Sequence, residues 1–281
     1  MKNLKSCAWV AKHLESVMVF DAGIVKPGQD EPYKPFTIVK GAQRFDISYA
    51  LSEENTALSN MMCDQYQFQS HMRQLGVNQT DTIVVYDDRG LFSAARAWWM
   101  LKSMGFEQVF IMDGGLPEWI RCGYATQQAY SKINEIGDFI AQPDITRTYF
   151  IDKEKVLNSI SDSDCLLLDA RSPLRFSGRE PEPRIDMRGG HIPNSKNLHY
   201  SALLSERGLV RPLAELHIIF NRLECTDKSL QFSCGSGVTA CILALAADEC
   251  GYRDLSVYDG SWSEWGNSAL SGELPIHCYE G

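Results

Sequence analysis

The sequence predicts an α/β protein made of two similar domains in tandem, each a mostly parallel sheet flanked by helices. Three observations carry this. A chain of 281 residues is long for one domain and comfortable for two, since domains cluster near about 100–150 residues. The chain also repeats itself: FEQVFIMDGGLPEW at residues 106–119 matches YRDLSVYDGSWSEW at 252–265, so Asp113 recurs as Asp259, Gly114 as Gly260 and Trp119 as Trp265, each 146 residues on. VMVFDAG around Asp21 and CLLLDAR around Asp169 repeat at an offset of 148, and TIVVYDDRGLF and SLQFSCGSGVT set Asp87 against Cys234 at 147. Finally, each half alternates short apolar runs with helical stretches, as a parallel sheet with covering helices requires.

In order, VMVFDA, TIVVYD and QVFIMDG are the expected strands of the first half, and CLLLDA, SLQFSC and LSVYDG those of the second. Continuous apolar and β-branched runs bounded by turn residues suit strands covered on both faces. Helices are expected over 62–75, 94–104, 152–160, 213–223 and 238–250. Trp98 and Trp99 fall on one of them and read as core; Phe92, just ahead, is placed to line a cleft between the halves. The polar stretch 124–148 lacks a period and reads as a linker with its boundary near Pro143, giving domains of residues 1–140 and 141–281.

A net charge of −9 without a cluster of Lys and Arg argues against a nucleic-acid partner, which needs grouped cations against phosphate. Lys12, His13 and Glu15 interrupt the opening segment, so no signal-peptide core is expected. The longest apolar run, residues 240–247, is far short of the roughly 20 residues of a membrane span. Nine cysteines lie scattered without C-x-x-C or Cys/His ligand spacing, which argues against a metal site and suits a reducing cytoplasm.

One segment carries chemistry. SLQFSCGSGVTACILALAADECG reads as strand, tight loop and helix, with the loop at 234–239 and the helix at 240–249 closed by Gly251. Gly235 and Gly237 let the backbone curl so that successive N–H groups point inward, and the helix N-terminus adds partial positive charge. Such a cradle is expected to favour Cys234 as a thiolate without a base beside it, and can hold a persulfide anion or a bound oxyanion. Upstream, SPLRFSGREPEPRIDMRGG carries Arg175, Arg179, Arg184 and Arg188. These read either as a solvated basic loop or as forked donors for a planar carboxylate.

C-G-S-G-V-T at 234–239, GGHIPN at 189–194 and YDGSWSEWG at 258–266 resemble the 3-mercaptopyruvate sulfurtransferases of the tandem rhodanese family. The resemblance implies two rhodanese-like domains of which only the second is active, Asp87 standing in the first where Cys234 stands in the second. It implies sulfur taken from 3-mercaptopyruvate as a Cys234 persulfide, release of pyruvate, and transfer to cyanide, a small thiol or a thioredoxin-like protein. No metal or organic cofactor is implied. L-R-F and E-P-E-P-R match the family's carboxylate-binding arginines at Arg175 and Arg184. Gly235, Gly237 and Val238 fall among the substrate-binding loop residues. Ser236 and Thr239 fit as ordinary helix caps or, by resemblance, as hydroxyls facing the sulfur, and His191 matches a structural histidine. Thiosulfate is the alternative donor, although enzymes that prefer it resemble C-R-K-G-V-T in the loop; a non-catalytic persulfide carrier or redox sensor is another reading. A phosphatase loop needs an arginine where Ala240 stands.

The chain also departs from the family. An Asp–His–Ser relay assigned in some members starts from F-D-I-D/E, which here reads FDIS and puts Ser48 at the carboxylate position. The family's H-M-L-P becomes SNMMCD at 59–64, without histidine, and Asp46 is not at the matching position. The relay is absent, or other groups do its work.

Overall fold

The computed structural model describes residues 1–281 except 26–28, 30, 31, 134, 144–146, 272, 273 and 279–281. The first half runs β1 (Leu4–Lys5), α1 (Cys7–His13), β2 (Met18–Asp21), β3 (Ile38–Val39), β4 (Gln43–Arg44), α2 (Gln65–Gln74), β5 (Ile83–Tyr86), α3 (Ala94–Ser103), β6 (Val109–Met112), α4 (Gly115–Arg121) and β7 (Thr126–Gln127). The second runs β8 (Phe150–Ile151), α5 (Lys153–Ser159), β9 (Cys165–Asp169), α6 (Pro173–Phe176), β10 (Lys196–Asn197), a 3₁₀ turn at Tyr200–Leu203, α7 (Leu213–Arg222), β11 (Ser229–Ser233), α8 (Ala240–Glu249), β12 (Leu255–Tyr258), α9 (Ser261–Trp265) and α10 (Ser268–Ser271).

Each half carries a five-stranded sheet in which every pairing is parallel, ordered β1-β6-β5-β2-β4 in the first and β8-β12-β11-β9-β10 in the second. The same order twice is the structural form of the sequence repeat. The interior strands β5 (IVVY) and β12 (LSVY) are buried at every position, as strands covered on both faces are. Outside the sheets, β3 and β7 form an antiparallel pair.

One apolar cluster passes from the first half into the second, with α3 packed on α8 at its centre. Helix α8, ACILALAADE, is buried at all its residues, as expected of a helix apolar on every side. Trp98 and Trp99 are core residues, and Trp99 Nε1 donates to the Tyr149 carbonyl at 3.0 Å. The repeated Asp-Gly motifs fasten the halves reciprocally: Asp113 accepts from the Val210 N–H at 2.9 Å, and Asp259 from the Met62 N–H at 2.7 Å.

The stretch expected to be a linker includes residues 134 and 144–146, which lie outside the described residues. The remainder is mostly exposed chain pinned to the first half at intervals. Phe139 is fully buried against Phe68 and Phe106, and its N–H donates to Val77 O at 3.1 Å. Its lack of a period reflects irregular backbone, not freedom from the first half.

Candidate active site

Strand β11 ends at Ser233 and delivers Cys234 to the start of a tight loop, 2% exposed. The loop is fastened from behind. The Cys234 N–H donates to Ser261 Oγ at 3.1 Å, and the N–H groups of Trp262 and Ser263 donate to the carbonyls of Cys234 (3.0 Å) and Gly235 (2.8 Å). Ser261 holds this place at φ +48°, a strained left-handed conformation of the kind that persists at sites the surroundings over-determine. Gly237 has φ +70°, and a Cβ there would meet Asp259 O at 2.7 Å, so only glycine fits.

The matching loop of the first half shows what such a turn binds. Asp87 Oδ1 accepts from the N–H of Arg89 at 2.9 Å, and Oδ2 from those of Phe92, Ser93 and Ala94 at 2.7, 2.9 and 2.9 Å. That cradle is filled by its own carboxylate. In the second half the backbone N–H groups of Gly235, Ser236, Gly237, Val238, Thr239 and Ala240 have no acceptor among the described residues. A turn that solvates an anion in one copy thus offers unbonded donors beside a cysteine in the other.

Two guanidinium groups stand over this loop. A Cβ built on Gly235 would lie 3.3 Å from Arg175 Nη2 and 3.6 Å from Arg184 Nη1. Arg175 projects from α6, which Ser172 caps by accepting from the Arg175 N–H at 3.3 Å. Its Nε donates to Glu182 Oε2 at 3.1 Å, and its Nη2 binds the same oxygen. Glu182 also takes Arg171 Nη1 at 2.7 Å, while Arg171 Nη2 is held by Asp169 at 2.7 Å. Arg184 has no carboxylate partner among the described residues; its Nη2 donates to Ser59 Oγ of the first half at 3.3 Å. Burial pushes Arg184 below its usual value, against the pull of the Cys234 side chain.

These groups line a cleft of about 820 Å³ between the halves. Phe92 forms part of its wall, edge-on to Tyr200 at 5.9 Å. His199 faces the same space, and burial and then Arg175 hold its imidazole below the usual range. Beneath the loop, Arg96 of α3 is fully buried, donating to Asp259 Oδ1 (2.6 Å), Gly237 O (3.3 Å) and Asn60 O (2.6 Å). Burial works against the Arg96 cation, but Asp259 together with the Cys241 and Cys234 side chains outweighs it, so the group is pushed up. Farther along α8, Cys241 Sγ donates to Gly237 O at 3.3 Å, and burial pushes that thiol far up.

Cys234, Gly235, Ser236, Val238, Thr239, Arg175 and Arg184 all border the cleft. Gly237, expected among the substrate-binding residues, lies behind the loop with its carbonyl turned to Arg96. The helix-cap reading of the two hydroxyls is corrected. Thr239 occupies the N-cap position of α8 without a capping hydrogen bond, and Ser236 Oγ accepts instead from Asn60 Nδ2 at 3.3 Å. Arg179 is exposed. Arg188 donates to the carbonyls of Trp265 (2.8 Å) and Leu274 (3.2 Å), fastening the C-terminal segment. His191 is a core residue, stacked on Phe176 with Nδ1 2.9 Å from the Phe176 carbonyl. Sequence reading missed Asn60, Arg96, Glu182 and Ser261. Only Arg96 left a signal, as the one charge in the apolar run AARAWWML.

A profile of the rhodanese-like domain matches residues 6–122 and again residues 152–268. The chain belongs to the rhodanese family. It is 36% identical over 275 residues to the 3-mercaptopyruvate sulfurtransferase of Escherichia coli K12, covering 95% of each chain. It is 34% identical over 285 residues to the thiosulfate sulfurtransferase of Cricetulus griseus, covering 95% of this chain and 92% of that one. The crystal structure of SseA from Escherichia coli, described as a 3-mercaptopyruvate sulfotransferase of rhodanese fold, matches with a TM-score of 0.82 at 34% identity, over 93% of this chain and 99% of that chain. The Asp87 and Cys234 loops are thus equivalent loops of two rhodanese domains. Relatives named for different donors stand at similar identity, so the donor has to be argued from the cleft.

Proposed function

We propose that this rhodanese-family chain is a 3-mercaptopyruvate sulfurtransferase with Cys234 as its sulfur carrier. The observation that carries the reading is the run of unbonded N–H groups from Gly235 to Ala240, with Arg175 and Arg184 converging above Gly235. The substrate carboxylate is gripped by the two guanidinium groups, which aims its thiol sulfur at Cys234. The Cys234 thiolate attacks that sulfur, the carbon–sulfur bond breaks, and its electron pair goes to carbon as the pyruvate enolate. The proton of the substrate thiol compensates the enolate, so thiolate plus mercaptopyruvate gives persulfide anion plus pyruvate with charge conserved. The loop amides then solvate the persulfide anion. An acceptor thiol (small, or on a thioredoxin-like protein) or cyanide removes the outer sulfur. The scheme uses no metal or organic cofactor, and the described residues hold no cluster of His, Cys, Asp or Glu fit to bind a metal.

The first domain serves as scaffold and cleft wall, because its Asp87 carboxylate fills the cradle and cannot carry sulfane sulfur. We divide the domains at residues 140 and 141, between the profile matches that end at 122 and resume at 152. A cytoplasmic setting fits nine unpaired cysteines; no described helix is long and apolar enough to cross a membrane. Mercaptopyruvate is favoured over thiosulfate because loop residues 234–239 include no Lys or Arg, while the cleft supplies a carboxylate grip. After incubation with mercaptopyruvate, peptide mapping should place one added sulfur on the Cys234 peptide, with matching pyruvate release. Turnover by Cys234→Ser protein would sink the assignment, and equal kcat/KM with thiosulfate would transfer the donor role.

A further inference from the structure

Below Arg184 the first domain sends a short polar chain into the Cys234 loop. Ser48 Oγ donates to Asn60 Oδ1 at 2.9 Å, and Asn60 Nδ2 donates to Ser236 Oγ at 3.3 Å. Asn60 and Ser236 are each only 6% exposed. Asn60 has φ +64°, a left-handed conformation that Asn and Asp tolerate better than other side chains. Its backbone carbonyl is pinned by Arg96 Nη2 at 2.6 Å. The amide therefore has a direction, oxygen toward Ser48 and nitrogen toward Ser236. Ser236 receives a hydrogen bond from below, so its own hydroxyl hydrogen is left to point into the cleft that Cys234 borders.

We propose that Asn60 is a positioning residue which, with Ser48, holds Ser236 as a hydrogen-bond donor to the sulfur on Cys234. The proposal rests on the sulfur-transfer reading and deepens it. Hydroxyl, amide and hydroxyl do not ionise near neutral pH, so the chain orients a donor and withdraws no proton. The charged and titratable groups around it are Arg96 on α3, Arg175 and Arg184 above the loop, Asp259 after β12, Asp46 and Asp64 flanking the Ser48–Asn60 segment, the buried Cys63, Cys234 itself, and His199 across the cleft. Ser48→Ala leaves all of these charges in place, so that neutral change controls for their titration.

Asn60→Asp is the discriminating change. A carboxylate keeps the shape and tolerates the backbone, yet it only accepts hydrogen bonds. It would accept a hydrogen bond from the Ser236 hydroxyl and turn that hydrogen away from sulfur. Single-turnover loading of Cys234 by mercaptopyruvate, read by intact mass and pyruvate release, should slow about tenfold or more at neutral pH, the scale of one charge-assisted hydrogen bond. In steady state the loss should fall on kcat and not on KM. The variant-to-wild-type ratio should climb toward one as pH falls and the new carboxyl, once protonated, regains a donor. Ser48→Ala, which loosens the amide without adding a titrating group, should slow loading roughly two- to tenfold with a ratio independent of pH. An Asn60→Asp ratio that is flat with pH, or loading as fast as wild type, overturns the chain alone. Wild-type protein that takes up no sulfur overturns the sulfur-transfer reading, and the proposal with it.

Discussion

Glu182 sorts the arginines of its loop into different tasks. Its carboxylate, 4% exposed, takes both Arg171 and Arg175, so part of the Arg175 charge is already answered, while Arg184 faces the cleft without a carboxylate partner among the described residues. Losing a charge-assisted hydrogen bond costs about 1.5–3 kcal/mol, or about 10- to 150-fold in kcat/KM. Arg184→Ala should lose mercaptopyruvate kcat/KM on that scale and exposed Arg179→Ala should stay near wild type, as steady-state kinetics will read; equal losses would mean the loop acts through general charge. Arg175 and Arg184 were legible in the sequence because a motif carries them. Arg96 showed only as a charge in an apolar run and Asn60 not at all, because their partners in the Cys234 loop lie 141 and 176 positions away along the chain. Nothing local to either residue encodes that meeting.

At the scale of elements, the turns leading into α3 and α8 are the same device with different contents. Four N–H donors converge on the fully buried Asp87. Asp87→Asn leaves an amide that answers fewer of them, and a buried donor without an acceptor costs about 1–3 kcal/mol. Stability by urea denaturation should fall by that amount, while sulfur loading of Cys234 persists in the folded protein; an unchanged midpoint would show that the carboxylate does not hold the turn. The expected strands and helices all form, with ends trimmed by up to three residues, because runs of four or more residues show a period. The two-residue strands β1, β4, β8 and β10 are too short to show one. Helix α4 was hidden for another reason: it opens on Gly114 and Gly115, both at positive φ, with Pro117 two residues on, and reads as a turn.

At the scale of the whole molecule, the first domain grips both ends of α8. Arg96 and the Met62 N–H hold Asp259 near its start. At its close, Glu249 accepts from the N–H groups of Asn3 (2.6 Å) and Lys2 (2.8 Å), and Lys2 Nζ meets Asp248 at 2.8 Å. Acidic residues oppose the dipole at a helix C-terminus, and here the partner domain's amides and ammonium group answer them. With one apolar cluster running through both halves, unfolding should be a single transition in which tryptophan fluorescence and circular dichroism coincide; two resolved transitions would show that the domains are energetically separate. The distribution of thiols over the molecule has its own consequence. Burial pushes Cys7 and Cys63 up to about 12, Cys225 and Cys250 up to about 11, and Cys241 farther still. Thiol exchange needs a thiolate attacker, so these thiols would be poor scavengers of sulfur carried on Cys234 in the proposed cycle. On the proposed sulfur-transfer cycle, a loaded molecule would therefore lose little sulfur to these thiols and would hold it for an outside acceptor.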